Sequence, residues 1–257
     1  MALNRRSFLQ LVAGTAVASA AFPAASLADN VNRAEFKAVA FDAFPIFDPR
    51  PIAAVAESLL PGNGQALMNV WRTRQFEYQW LRALAGRYVD FLQATHDSLI
   101  FAASQLRLEI SSATQEQLMA PWSNLQVWPD AAGVVKVLHD AGLRLAFLSN
   151  MTSRMLTDGL RNARLDGMFD AILSTDQIRS YKPDPRAYQM GVDSLGLRKE
   201  EVLFVAFAGW DVAGAKWFGY PTFWANRMGA PQEELGIQAD AVGSDLSALL
   251  DVVLPNR

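Results

Sequence analysis

Phe36-Lys37-Ala38-Val39-Ala40-Phe41-Asp42-Ala43-Phe44-Pro45 is the stretch whose reading decides the fold. A short apolar run that ends on a carboxylate and a Pro-marked turn suits a strand buried on both faces of a parallel sheet, with Asp42 at its carboxyl end. Ligands gather at such strand ends in open parallel sheets, so residues distant in sequence converge there. Three further stretches belong with it. They are Leu148-Ser149-Asn150 after Leu143-Arg144-Leu145-Ala146, then Tyr181-Lys182-Pro183-Asp184, and Gly209-Trp210-Asp211 after Val202-Leu203-Phe204-Val205. Together they supply one carboxylate, one hydroxyl, one lysine and a second carboxylate.

Working outward, the apolar patterning predicts strands over 36–42, 143–148, 171–173, 202–205 and 222–224, and helices over 131–141, 153–163, 185–195 and 212–218. Strand, helix, strand repetition implies an α/β core with a doubly wound, Rossmann-like parallel sheet. Residues 51–119 break the alternation, because apolar positions there recur at three and four with little strand signal. They read as a helical cap inserted into the core, which leaves 29–50 and 120–257 as the core domain. A cap over strand ends makes a closed, mostly apolar pocket suited to a small organic acid, and it restricts bulk water.

With 257 residues, 51% hydrophobic and 19% charged, the chain is large enough for one sheet-based core and a small accessory domain. A net charge of −3 gives no reason to propose nucleic acid. No apolar run after the N-terminus is long enough to span a bilayer. The first 28 residues differ from the rest: Asn4-Arg5-Arg6-Ser7-Phe8-Leu9-Gln10 precedes a mild apolar stretch over 11–22, then Ser26-Leu27-Ala28. This looks like a twin-arginine export signal, cleaved after Ala28 with Ala20 as the alternative. It implies handling by the twin-arginine translocase after folding, a periplasmic location, and no membrane association after cleavage. The lack of cysteine fits but discriminates weakly.

The order and spacing of the four motifs resembles the haloacid dehalogenase superfamily. Within it the chain is most similar to the L-2-haloacid dehalogenases, because Trp71-Arg72-Thr73-Arg74-Gln75-Phe76-Glu77-Tyr78-Gln79-Trp80-Leu81-Arg82 and Gly86-Arg87-Tyr88-Val89-Asp90-Phe91 look like their helical cap. The similarity runs from about Phe36 to near the C-terminus. It implies that Asp42 is a nucleophile displacing halide from C2 of a small 2-halo carboxylic acid to give an ester that water cleaves. Arg72 is then the group that receives the halide, with Arg74 and Arg82 as competitors on the same helix. Ser149 and Asn150 hold the substrate carboxylate, Lys182 keeps Asp42 ionised, and Tyr188 stands near the same carboxylate. Asp211 pairs with the lysine and helps position water, without a metal or other cofactor. Phe76, Phe91 and Trp210 line the pocket around the substrate's side chain. Phe44 stands where phosphatases of the superfamily carry a second aspartate as general acid; halide leaves without a proton, so the aromatic residue argues against phosphoryl chemistry. Family members commonly form homodimers, which is the expectation here.

Each of these residues also has a plainer reading. Asp42 could cap a turn, Arg72 could pair with Glu77 at the surface, Ser149-Asn150 could cap a helix, and the aromatic residues could be ordinary core. His96 and His139 lack partners at metal-ligand or triad spacing and read as structural or exposed.

The chain departs from the family twice. Asp42-Ala43-Phe44-Pro45-Ile46-Phe47-Asp48 lacks the glycine and the threonine of the usual Asp-x-Tyr-Gly-Thr-Leu and is one residue shorter, so a hydroxyl that normally bonds the nucleophile is missing. Where dehalogenases have Ser-x-Asn ahead of Trp-Asp, this chain has Ala206-Phe207-Ala208. Losing two groups that hold the hydrolytic water could slow ester hydrolysis roughly 10²-fold or more, by analogy with loss of one oxyanion donor. Three functions therefore compete: conversion of (S)-2-haloalkanoates to (R)-2-hydroxyalkanoates, binding of a small carboxylate with little turnover, and a magnesium phosphatase.

Overall fold

The computed structural model describes residues 36–254; the expected export signal lies outside them. Strand β1 (Ala38–Phe41) is followed by the two-residue β2 (Phe47–Asp48), four helices, α1 (Pro51–Leu59), α2 (Gly64–Leu84), α3 (Phe91–Gln105) and α4 (Ser112–Met119), and β3 (Gln126–Val127). The chain then alternates: α5 (Ala131–Asp140), β4 (Arg144–Ser149), α6 (Ser153–Asn162), β5 (Ala171–Ser174), α7 (Pro185–Leu195), β6 (Val202–Ala206), α8 (Gly209–Phe218), β7 (Thr222–Ala225), β8 (Ala241–Gly243) and α9 (Ser247–Val253).

Six strands form one sheet in the order β5-β4-β1-β6-β7-β8, with every adjacent pair parallel. Side chains of a strand alternate between faces, and β1 divides accordingly. Val39 and Phe41 join Leu145, Phe147, Leu203 and Val205 in an apolar cluster with α5, α6 and α9. Ala38 and Ala40 join Ala146, Leu148, Phe204 and Ala206 in a second cluster with α7 and α8. The sheet is therefore covered on both faces, as the sequence predicts. β1 lies between β4 and β6, with Phe41 in register with Phe147 and Val205, so the residues just past these three strand ends become neighbours of Asp42.

Residues 51–119 contain helices α1 to α4 and no strand. Trp71 of α2 donates its indole N–H to the Thr95 carbonyl of α3 at 2.8 Å, and Gln75 Nε2 donates to Thr95 Oγ1 at 2.5 Å, so buried polar groups join the two helices. Asp90 caps α3 by accepting from Gln93 N, and Ser111 caps α4 by accepting from Thr114 N.

Helix α8 starts at Gly209, three residues ahead of the predicted 212, because Ala208 is extended and the helix begins directly after it. Asp211 thereby falls in the first turn of a helix, where the backbone dipole favours a carboxylate. β2, β3, β8 and α9 are elements that the patterning did not reveal.

Candidate active site

Asp42 directly follows β1 and is 7% exposed. Its Oδ2 accepts from the Phe44 backbone N–H at 3.2 Å, which closes a tight turn on the carboxylate in the absence of a threonine hydroxyl. Its Oδ1 accepts from Lys182 Nζ at 2.9 Å, while Ser149 Oγ at the end of β4 lies 3.5 Å away. Ser149 Oγ also accepts from Met151 N, and α6 is capped by Thr152, so the Ser-Asn pair is not that helix's cap.

Lys182 is buried and bridges two carboxylates, with Asp211 Oδ2 at 2.6 Å. Burial alone would depress the ammonium, but the negative charges of Asp211 and Asp42 outweigh it and raise its pKa. Asp211 is pushed up to about 6 by burial, with Lys182 opposing and Asp42 reinforcing the rise. Tyr188 corrects the sequence reading. Its hydroxyl bonds Asp211 Oδ1 at 2.7 Å rather than Asp42, its ring is packed in the core beside Phe204, and it does not line the cavity. Its pKa is raised by burial and by Asp211, so it stays a donor and positions that carboxylate.

A cavity of about 20 Å³, room for about one water molecule, opens between these groups and the cap. Asp42, Ser149, Asn150 and Asp211 line it from the core, with Phe44, Met151, Phe207, Ala208 and Trp210; Phe76, Gln79 and Phe91 line it from α2 and α3. Phe76 packs edge-on to Trp210 at 5.5 Å, and Phe44 lies 5.8 Å from Phe207. The three aromatic residues expected in the pocket are thus brought together.

Arg72 sits just behind this wall. Its guanidinium lies 5.4 Å from the Phe44 ring, 5.0 Å from Phe76 and 5.5 Å from Trp122, and Nη1 donates to Gln75 Oε1. Burial lowers its pKa to about 10 and the charge of Asp42 pulls the other way, so it is cationic at neutral pH. Arg74 pairs with Glu77 and Arg82 with Asp97, whereas Arg72 has no carboxylate within ion-pair distance among the described residues. This separates Arg72 from its competitors and removes the surface pairing with Glu77. His96 faces Gln115 and His139 is beside Asp140; neither lines the cavity.

Sequence reading missed three contributors. Gln79 is fully buried, lines the cavity and accepts from Asn150 Nδ2 at 3.0 Å. Trp128 donates its indole N–H to the Phe44 carbonyl at 2.9 Å, and Arg227 donates to the Pro45 carbonyl at 2.8 Å while pairing with Asp130. The last two clamp the shortened loop after Asp42. A glutamine in the middle of a helix carries no local sign of burial, and the two clamps are distant in sequence from what they hold.

Comparison with known proteins places this geometry. The protein-family model for haloacid dehalogenase-like hydrolases matches residues 11–219. The haloacetate dehalogenase H-2 of Moraxella sp. (strain B) is 34% identical over 85% of this chain and 98% of its own. The (S)-2-haloacid dehalogenase of Pseudomonas sp. (strain YL) is 36% identical over 84% of this chain and 94% of its own. The crystal structure of the Xanthobacter autotrophicus L-2-haloacid dehalogenase with chloropropionic acid covalently bound has a TM-score of 0.78 and 34% identity, covering 86% of this chain and 100% of that one.

Proposed function

The chain belongs to the haloacid dehalogenase-like hydrolases, and from that membership we propose that it hydrolyses (S)-2-haloalkanoic acids to (R)-2-hydroxyalkanoic acids through an ester on Asp42. One Asp42 oxygen attacks C2 opposite the halogen; the carbon–halogen pair leaves as halide and C2 inverts. Water then adds to the Asp42 carboxyl carbon, the acyl–oxygen bond breaks, and the hydroxy acid departs with the inverted C2 untouched. The attacking water's oxygen stays on Asp42.

Lys182 pairs with Asp42 and orients it, and Ser149 with nearby backbone amides receives the substrate's carboxylate. Arg72 faces the departing halide across the Phe44 and Phe76 rings, where positive charge is weakly hydrated and opposes charge that grows only in the transition state. Asp211, held by Lys182 and Tyr188, positions the water. Each step as written uses side chains and water alone.

The observation that carries this reading is Asp42 beside Lys182 in an aromatic-walled cavity, with Phe44 two residues on where proton-donating chemistry would need an acid. The same residue disfavours the phosphatase reading. Ala206 and Ala208 favour a second reading, a degenerate relative that binds a small carboxylate with little or no turnover. Incubation of wild type and Asp42→Asn with L-2-chloropropionate, followed by chloride release and intact mass, separates them. Catalytic chloride release lost in the variant supports the dehalogenase. A persistent adduct with at most one chloride per chain means ester formation without turnover, and the absence of both signals favours the carboxylate binder or another substrate class.

The Arg5-Arg6 motif supports export by the twin-arginine translocase, tested by the N-terminal sequence of periplasmic protein. Resemblance to the family supports a homodimer, tested by light scattering.

A further inference from the structure

We propose that Gln79 is a substrate-binding residue whose side-chain amide donates to the carboxylate of the bound acid; this deepens the function proposed above and rests on it. The orientation of the amide follows from a chain of unambiguous donors. The Lys182 backbone N–H can only donate, and it lies 2.9 Å from the Asn150 side chain, so the oxygen of Asn150 faces it. The nitrogen of Asn150 therefore faces Gln79, at 3.0 Å. An NH₂ group cannot accept, so the Gln79 atom it meets is Oε1, and Nε2 turns the other way.

Gln79 is 0% exposed and lines the cavity together with Asp42, Ser149 and Asn150. Its Nε2 has no hydrogen-bond partner among the described residues. A buried amide donor without a partner is unfavourable, so a site that keeps one is matched to an acceptor on its ligand. Trp210 Nε1, on the same cavity, is a second buried donor without a partner. The strong acceptor of a 2-haloalkanoate is its carboxylate, since carbon-bound halogen accepts poorly before it leaves.

Gln79, which lines the cavity, and Arg72, behind its Phe44 and Phe76 wall, lie at different levels of α2. Arg72 precedes Gln79 by seven residues, about two turns and roughly 10 Å of helix axis. It lies against aromatic faces, which suits a polarisable halide, whereas Gln79 is tied to Asn150 next to Ser149. The carboxylate therefore binds at the Gln79 end and the halogen points toward Arg72. Gln79 supplies from the cap a polar contact at a site where Ala208 offers none from the core.

Gln79→Glu tests this with little change of shape, because the carboxylate still accepts from Asn150 but has no hydrogen to donate. Gln79→Met removes both functions. Propionate, which cannot react, is titrated calorimetrically into wild type and both variants at pH 8 and pH 5, with thermal unfolding as the check on folding and chloride release from L-2-chloropropionate in parallel. Loss of one hydrogen bond to a carboxylate weakens propionate binding at least about 10-fold in Gln79→Met at pH 8, where the ligand is fully ionised. Gln79→Glu loses more at pH 8, by about 100-fold, because like charges meet. It regains affinity relative to wild type at pH 5, where a protonated glutamate can donate. KM rises in both variants more than kcat falls.

Propionate affinity within twofold of wild type in both variants, no recovery of Gln79→Glu on acidification, or a wild type that does not bind propionate overturns the assignment. If wild type releases chloride and the variants bind propionate normally, the dehalogenase reading stands and this inference falls. If the variants lose propionate while wild type releases no chloride, the reverse holds.

Discussion

Replacing Lys182 by Met should destabilise the protein in a way that depends on pH. Nζ lies 2.9 Å from Asp42 and 2.6 Å from Asp211, and the side chain is 1% exposed. At an effective dielectric constant of about 20, each attraction is worth about 6 kcal/mol before desolvation is subtracted. Removing one member of a buried ionic group typically costs about 3–5 kcal/mol, because the remaining charges lose their partner. For a chain of this size that is a fall in Tm of roughly 10 °C. Met is close to Lys in length and apolar bulk, but it also gives up the contact of Nζ with the Phe204 ring, 5.1 Å from its centroid. Without the ammonium, which opposes the rise, burial and the neighbouring Asp42 raise the folded Asp211 pKa further above its unfolded value. Stability of the variant is then full below the ordinary carboxylate range and is lost as pH rises through the raised value. Urea unfolding should show a wide gap between wild type and Lys182→Met at pH 8 that narrows at pH 5. A gap of the same size at both pH values would assign the loss to packing and refute the charge argument.

Other expectations follow from the same geometry. Arg72→Lys should lower kcat about 10²-fold, the usual effect of losing one transition-state donor, with smaller change in KM, because a compact ammonium does not spread over the Phe44 and Phe76 faces; pre-steady-state chloride release checks it. Asp211 is raised to about 6, so ester hydrolysis that needs it ionised should increase as pH rises through that value, and Asp211→Asn should abolish the limb in a pH–rate profile. The stability linked to that raised pKa has the opposite direction: it is present below the ordinary aspartate range and is lost as pH rises through about 6. Gly214→Ala should displace Tyr188 and Pro183, because an added Cβ would lie 2.8 Å from Pro183 Cβ and closer still to the tyrosine hydroxyl; reduced kcat with a disturbed pH profile is the expected result, and wild-type kinetics would refute it.

Much of the core was legible because β1, β4, β6 and β7 are runs of almost wholly buried, mostly apolar residues, which leave an unbroken signature. β8 has three residues, lies at the sheet edge and is only partly buried, so packing rather than pattern defines it. The early start of α8 was hidden by Gly209, which reads as a loop residue until Ala208 is seen to be extended. Asp42 and Ser149 could be found because strand ends announce themselves, whereas Lys182, well past the end of β5, and Asp211, in the first turn of α8, were legible from their motifs. Gln79 could not, since its burial depends on Asn150, 71 residues away, and Arg227 meets Pro45 across 182 residues. Tyr188 was placed near Asp42 by resemblance to the family, which does not say that its hydroxyl reaches Asp211 instead.

The two departures from the family pattern have unequal consequences. After Asp42 the lost threonine hydroxyl is offset locally, because the Phe44 backbone N–H bonds the carboxylate and Trp128 and Arg227 hold the carbonyls of Phe44 and Pro45. Those contacts fix the loop that carries Asp42, the proposed nucleophile, through residues other than a threonine. At the end of β6 no comparable substitution exists. Ala206 is fully buried in the core and Ala208 lines the cavity with a methyl group, while Phe207 adds an aromatic wall. Polar groups that remain on the cavity include Asp211, the Trp210 indole N–H and, from the cap, Gln79, whose free donor is better matched to the substrate's carboxylate than to water. Ester formation and ester hydrolysis therefore rest on different parts of the site. Sequence change in this chain falls mainly on the second, which makes the ratio of adduct to free hydroxy acid the quantity that reports what the site has become.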